Sequence, residues 1–237
     1  MAGGLRQDAM GRGMTDSSVA RPRRRVFRIV FGAIGAVAVV VAAYLFVPRR
    51  ADLTAFDPVA MARAETTMWR HYYDKRYLAL LADLYGVARD QYGFSPWTSV
   101  RIAVSAARAA KAFQPTTSRA QAQVALPLLV DYYALLAPAC PIKVDVEAAA
   151  RAELDWWQAR REQVRASDYG LTVAKVTTLL YGIDGETVRR SGVIRAEAMD
   201  FRDARNTSIT EADWAEIAQQ LTSAYGLLRQ ALDARPR

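Results

Sequence analysis

The stretch Ile29–Val47, "IVFGAIGAVAVVVAAYLFV", constrains this chain more than any other: 19 consecutive uncharged, mostly apolar residues. At 1.5 Å per residue a helix of that length reaches roughly 28 Å, enough to cross a bilayer core of about 30 Å. Its N-terminal flank, "RPRRRVFR", carries Arg21, Arg23, Arg24, Arg25 and Arg28, against Arg49 and Arg50 beyond the stretch. The positive-inside rule then keeps residues 1–28 in the cytoplasm, as a disordered basic tail, and puts the remainder outside. The stretch is longer than the apolar region of a cleaved signal peptide and ends in "YLFVPRR" without a small-x-small site. An uncleaved signal anchor over residues 29–47 is therefore the expectation. "RRRVFR" fits a twin-arginine signal only in part, because Arg28 stands where an apolar residue belongs. Gly32 and Ala36 form one small-xxx-small step, which leaves a homo-oligomer open. Met14 is an alternative to Met1 as the start.

The net charge of +8 invites a nucleic-acid reading until it is divided along the chain. Residues 1–50 hold nine arginines and two aspartates, whereas residues 51–237 hold 23 basic and 22 acidic side chains. The basic excess belongs to the leader, and the body has no net positive field with which to attract DNA. Cys140 is the only cysteine, so no internal disulfide forms, and its setting in "PACPIK" reads as a loop thiol.

Beyond a linker at 48–57, residues 58–237 read as one extracytoplasmic all-α domain. Asp57–Pro58 and Ser95–Pro96 each put a capping side chain before a proline in the first helical turn. Ser118-x-x-Gln121 and Ser208-x-x-Glu211 fit the capping box, and Asp145 opens "VEAAARAELDWWQARREQ". With stops at Gly93, Pro115, "PACP" and Gly182, about seven helices are expected, over 58–92, 96–113, 119–137, 146–166, 171–181, 186–204 and 210–234. Pro127 is expected to bend the third. Short connections favour an antiparallel bundle.

At about 100° per residue, the inward stripe of the first helix contains Glu65, Trp69, Tyr72 and Arg76, with His71 on the opposite, outer side. The fourth helix repeats the pattern with Glu153, Trp157 and Arg160. In "VRRSGVIRAEAMDFRDAR", Arg195 and Arg202 share a face with apolar residues. Two readings follow. Acids and arginines pair between helices and fix which helix faces which; alternatively, an aromatic-lined polar pocket lies between the first and fourth helices, with Glu65 or Glu153 as acid or base.

Sharper chemistries fail for want of residues. With a single histidine and a single cysteine, neither a di-metal carboxylate site with two Glu-x-x-His pairs nor a structural zinc site is available. No nucleophile elbow, phosphate-cradling glycine loop or calcium loop occurs. No catalytic residue, metal or cofactor is therefore assigned, and two carboxylates acting on a glycosidic bond remain a bare alternative. Residues 172–192, "TVAKVTTLLYGIDGETVRRSG", have the cadence of a helix-turn-helix, but the topology puts them across the membrane from DNA.

The strings "AETTMWRHYYDKRYLALL", "ALPLLVDYYALL", "AELDWW" and "RAEAMDFRDAR" resemble an uncharacterised group of bacterial single-pass, membrane-anchored helical proteins. That resemblance implies an all-helical body behind one span and carries no activity or site residues. The expectation is thus an envelope interaction or assembly module at the inner membrane, with a protein partner and no nucleic acid. The alternatives are a hydrolase or ligand-binding cleft and a membrane-bound regulator.

Overall fold

Short polar side chains start most of the helices by accepting the N–H groups that a first turn leaves free. Asp57 accepts from Ala60, Ser95 from Thr98, Ser118 from Gln121 and Asp145 from Ala148. The last helix opens with a reciprocal capping box between Thr210 and Asp213, two residues beyond the expected Ser208–Glu211 pair. The computed structural model describes residues 21–47 and 49–235. The tail before Arg21 and the choice between Met1 and Met14 lie outside the described residues.

The chain divides after Ala43 into two compact units. Helix α1, Arg21–Phe46, begins ahead of the apolar stretch, so residues 21–28 are helical rather than disordered. Arginine is a good helix former, and Pro22 sits in the first turn, where its missing N–H costs nothing. Within α1, Val26–Phe46 is long and apolar enough to cross a membrane. Arg119–Ala139 passes the same test of length and composition. That run is a broken succession of short turns around α6, and its Leu129, Tyr133 and Leu136 lie in the core of the body.

The body holds α2 (Pro58–Tyr73), α3 (Tyr77–Gly86, prolonged by a π-helical turn over Val87–Gln91), α4 (Pro96–Phe113) and the single turn α5 (Arg119–Ala122). It continues with α6 (Leu126–Leu136), α7 (Val146–Arg161), α8 (Ala166–Tyr181), α9 (Glu186–Arg205) and α10 (Glu211–Asp233). No strand occurs among the described residues. The expected first helix is two helices, because the chain breaks at Asp74–Arg76. Lys75 takes a left-handed conformation (φ 57°), its N–H bonds Tyr72 O and that of Arg76 bonds His71 O. This is a Schellman turn built without glycine. Pro127 falls in the first turn of α6, so it starts a helix instead of bending one.

Each long helix packs on its successor, and α10 packs back on α2, closing the order into a ring. The ring surrounds one large apolar core, with a second cluster of Ala62, Ala198, Trp214, Ile217 and Leu221 between α2, α9 and α10. The expected linker is part of this body. Leu53 and Phe56 are buried, Asp52 N–H donates to Tyr92 O, and Arg229 donates to the carbonyls of Thr54 and Phe56.

Helices α8 and α9 lie side by side as an antiparallel hairpin. Gly170 of α8 meets Gly192 and Val193 of α9, and Tyr169 OH reaches Ala196 O (2.8 Å) and Asp200 (2.7 Å). A DNA-reading pair would cross steeply and expose its second helix. Here Val188, Gly192, Ala196, Ala198 and Met199 of that helix are buried.

The body has two halves, α2–α6 and α7–α10, whose first helices repeat one pattern. Helices α2 and α7 both run 16 residues behind an aspartate cap. Each carries glutamate at its eighth position and tryptophan at its twelfth, and each ends in a Schellman turn on a non-glycine residue, Lys75 or Gln163 (both φ 57°).

Candidate functional site

The repeated glutamates point into the ring. Glu65, on the buried face of α2, accepts from Arg195 Nε (2.9 Å) and Nη2 (2.5 Å) and from Tyr225 OH (2.6 Å). Its side chain is 3 % exposed, and that of Arg195 is 32 % exposed. Burial alone would lower the Arg195 pKa, but the adjacent Glu65 carboxylate together with Tyr225 and Glu153 outweighs it and holds the guanidinium well above its ordinary value. Burial first, then the Glu65 charge, pushes the Tyr225 phenol up. Glu153 on α7 accepts from Tyr133 OH (2.8 Å) and from Trp157 Nε1 (2.9 Å). The two acids thus use the same chemistry: each is held by a tyrosine from the last helix of the opposite half. Both carboxylates are thus engaged by side chains of the helical body.

A cleft opens beside this network, at the C-terminal ends of α2, α4, α7 and α9. Its inner recess, of about 210 Å³, is walled by Trp69, Tyr72, Tyr73, Phe113, Trp156 and Trp157. It widens into a groove of about 790 Å³ edged by Arg160, Arg161, Arg165, Asp200 and Asp203. Together these have the scale of a small-ligand or side-chain pocket. The aromatic rings brace one another edge to face: Phe113 to Trp157 at 5.1 Å, Trp156 to Trp157 at 6.2 Å and Tyr72 to Tyr73 at 5.2 Å. The chain enters the body beside Phe94, Ser95 and Leu135, at the start of α4. The 18 residues of α4 put Phe113 roughly 25 Å from that point, so the cleft lies at the opposite end of the body.

The arginines at the rim differ in their partners. Arg160 clamps Asp203 (2.8 and 3.1 Å) and donates to Tyr73 OH. Burial alone would lower the Arg160 pKa, and Tyr73 and Asp203 together raise it. Burial pushes the Tyr73 hydroxyl up despite that arginine. Arg165 pairs with Asp168. Arg161 instead lies over the Phe113 ring, 3.6 Å from its centroid, and donates to Thr116 Oγ1 (2.6 Å) and Phe113 O (3.0 Å). Burial lowers its pKa.

The chain matches no known protein family, no curated protein and no solved structure. The site is therefore read from its own geometry.

Of the residues singled out in the sequence, Glu65 and Arg195 meet directly, and Trp69, Tyr72, Trp157 and Arg160 line the cleft. Arg202 packs over the Tyr73 ring and reaches Asp203 at 3.4 Å. Arg76 is separate: the break at Asp74–Lys75 puts it, exposed, at the start of α3. The same break corrects the placement of His71. Helix α3 folds back over that face of α2, so His71 is part-buried and its Nδ1 lies 2.6 Å from Asp83 Oδ2. Phe113 and Arg161, essential to the cleft, were not among the sequence candidates. The pair Arg160-Arg161 in the last turn of α7 was their one visible signal, since cations gather at helix C-termini.

Proposed function

We propose that this chain is a single-pass membrane-anchored, extracytoplasmic helical module of the bacterial cell envelope, which engages a protein partner through the aromatic cleft. The observation that carries this reading is the cleft itself: six aromatic side chains gathered at the end of the body opposite the point where the chain enters. Concave aromatic surfaces with a charged rim are typical anchor sites for protein partners. The anchor is supported by the apolar helix Val26–Phe46 and its arginine-rich N-terminal flank, and the extracytoplasmic placement by the same charge asymmetry.

The hydrolytic alternative needs a free acid where substrate would sit. Glu65 and Glu153 line neither the recess nor the groove. Of the acids that do, Asp203 is held by Arg160 and Asp200 by Tyr169. Nothing about the cleft prepares a proton transfer.

The test is photocrosslinking in living cells, with p-benzoylphenylalanine in place of Tyr72 in the cleft or of Val59 at the far end of α2. Discrete adducts with envelope proteins are expected from position 72 and not from 59. Identical patterns from both, or no adducts alongside turnover of an envelope substrate by the purified chain, would overturn the proposal. Alkaline phosphatase fused to the C-terminus should be active, and green fluorescent protein there dark.

A further inference from the structure

Resting on that reading of the cleft, the geometry at Phe113 points to the kind of ligand it takes. The recess is walled mainly by aromatic rings, and two of its polar groups are already engaged. Trp157 Nε1 donates to Glu153, and Tyr73 OH sits between Arg160 and Asp203. Trp156 Nε1 is buried away from solvent without a partner. A hydroxyl-rich ligand such as a glycan would have to strip its hydroxyls of water and find few replacements, at a cost per group that an apolar side chain avoids. At about 210 Å³ the recess slightly exceeds an engineered cavity of about 150 Å³ that accepts benzene, so it holds one bulky apolar side chain.

The charge beside the recess is as specific as its size. Among the described residues, Arg161 is the one arginine lining the cleft without a carboxylate within salt-bridge distance. Its guanidinium keeps one face on Phe113, whose ring is also a wall of the recess, so cation and apolar socket are one ring apart. In a chain-terminal residue the side chain and the α-carboxylate are separated by roughly 5 Å, from standard bond lengths. An acidic side chain on a neighbouring residue would stand farther off. Capture of a terminal carboxylate is a recurring mode of peptide recognition.

We infer that the cleft captures the C-terminal residue of a partner polypeptide, with its apolar side chain in the recess and its α-carboxylate on Arg161.

The experiment uses the full chain in lipid nanodiscs and N-terminally labelled hexapeptide pools ending in Phe, Trp, Leu or Val. Each pool is titrated by fluorescence anisotropy as the free acid, as the C-terminal amide, and with the same residue placed internally next to Asp. The free acid of at least one pool should bind about tenfold or more tightly than its amide and its internal counterpart, as loss of a charge-assisted contact implies. Arg161→Gln should erase the acid–amide difference, and a helical circular dichroism spectrum and thermal melt matching those of the parent chain show that the variant is folded. Amide or internal peptides binding as tightly as the acid would overturn the inference and leave the cleft as a protein-binding site. Absence of binding by every peptide form would overturn it too, and crosslinks at position 72 would then decide separately whether the cleft binds a partner.

Discussion

Glu65 and Arg195 stand 130 residues apart in sequence, yet the carboxylate of one receives two nitrogens of the other within 3.2 Å, beside the phenol of Tyr225. The pair joins α2 to α9 across the end of the chain order and leaves each charge compensated. Removing Glu65 leaves the partly exposed Arg195 guanidinium without its counter-ion, a loss of up to about 3–5 kcal/mol, the cost for a fully buried pair. Glu65→Ala should lower unfolding stability by that amount in urea titrations of the purified protein. The double variant Glu65→Leu/Arg195→Met should lose far less, because no orphan charge remains. Equal losses in both would show that packing, not charge compensation, dominates at this point.

The buried phenols set the alkaline limit. Tyr92, Tyr132, Tyr133, Tyr181 and Tyr225 all have pKa values raised, first by burial and then by neighbouring negative or phenolic groups. In the unfolded chain they ionise near pH 10. The folded state therefore binds more protons above that pH, so their contribution is fully present below about pH 10 and falls as pH rises beyond it. The chain has 11 tyrosines, among them the exposed Tyr44, Tyr72 and Tyr77, so only part of the tyrosinate absorbance at 295 nm should develop while helicity is intact, and the rest should appear together with loss of helical circular dichroism. Full tyrosinate absorbance near pH 10 with helicity intact would contradict the burial of these hydroxyls.

Cys140 should be slow to react. Burial pushes its thiol up to about 11, and Sγ lies 3.7 Å from Leu136 O. At pH 8 its thiolate fraction is then roughly a hundredfold below that of an unperturbed cysteine, and labelling by iodoacetamide should slow in proportion until urea unfolds the body.

The α8–α9 contact has no room for a methyl group. A Cβ on Gly170 would lie 2.6 Å from Val193 Cα, a backbone atom that cannot swing aside. Gly170→Ala should destabilise by about 1–3 kcal/mol through overpacking. Gly226, inside α10 with nothing within 4 Å of its would-be Cβ, gives the opposite sign. Gly226→Ala should stabilise by about 0.5–1 kcal/mol, since alanine loses less backbone entropy in a helix. Thermal melts of the two variants side by side check both signs.

Much of this architecture can be read from residue types alone. Helix starts at Asp57, Ser95, Ser118 and Asp145 follow from capping chemistry, and helical period turns Glu65 and Arg195 inward. The break after Tyr73 is hidden because Lys75, not glycine, occupies the left-handed position. Gln163, in the same position after α7, is equally silent, since the expected fourth helix runs through it to 166. The hidden break after Tyr73 moves Arg76 to the start of α3 and brings α3 over His71. The meeting of Phe113 with Arg161 depends on where the ends of α4 and α7 come together, which no local pattern encodes.

Glu65 is held by Tyr225 and Glu153 by Tyr133, each tyrosine coming from the other half. Residue i meeting j while the counterpart of j meets that of i is the signature of a two-fold, isologous dimer interface. Here the exchange of tyrosines ties the two halves of one polypeptide to each other, and residues 137–145 join them covalently, which keeps their effective concentration high. Within that frame the departures from symmetry carry the specialisation. Among the described residues only Glu65 of the two acids has an arginine partner, Arg195, and the aromatic cleft lies at one end of the body.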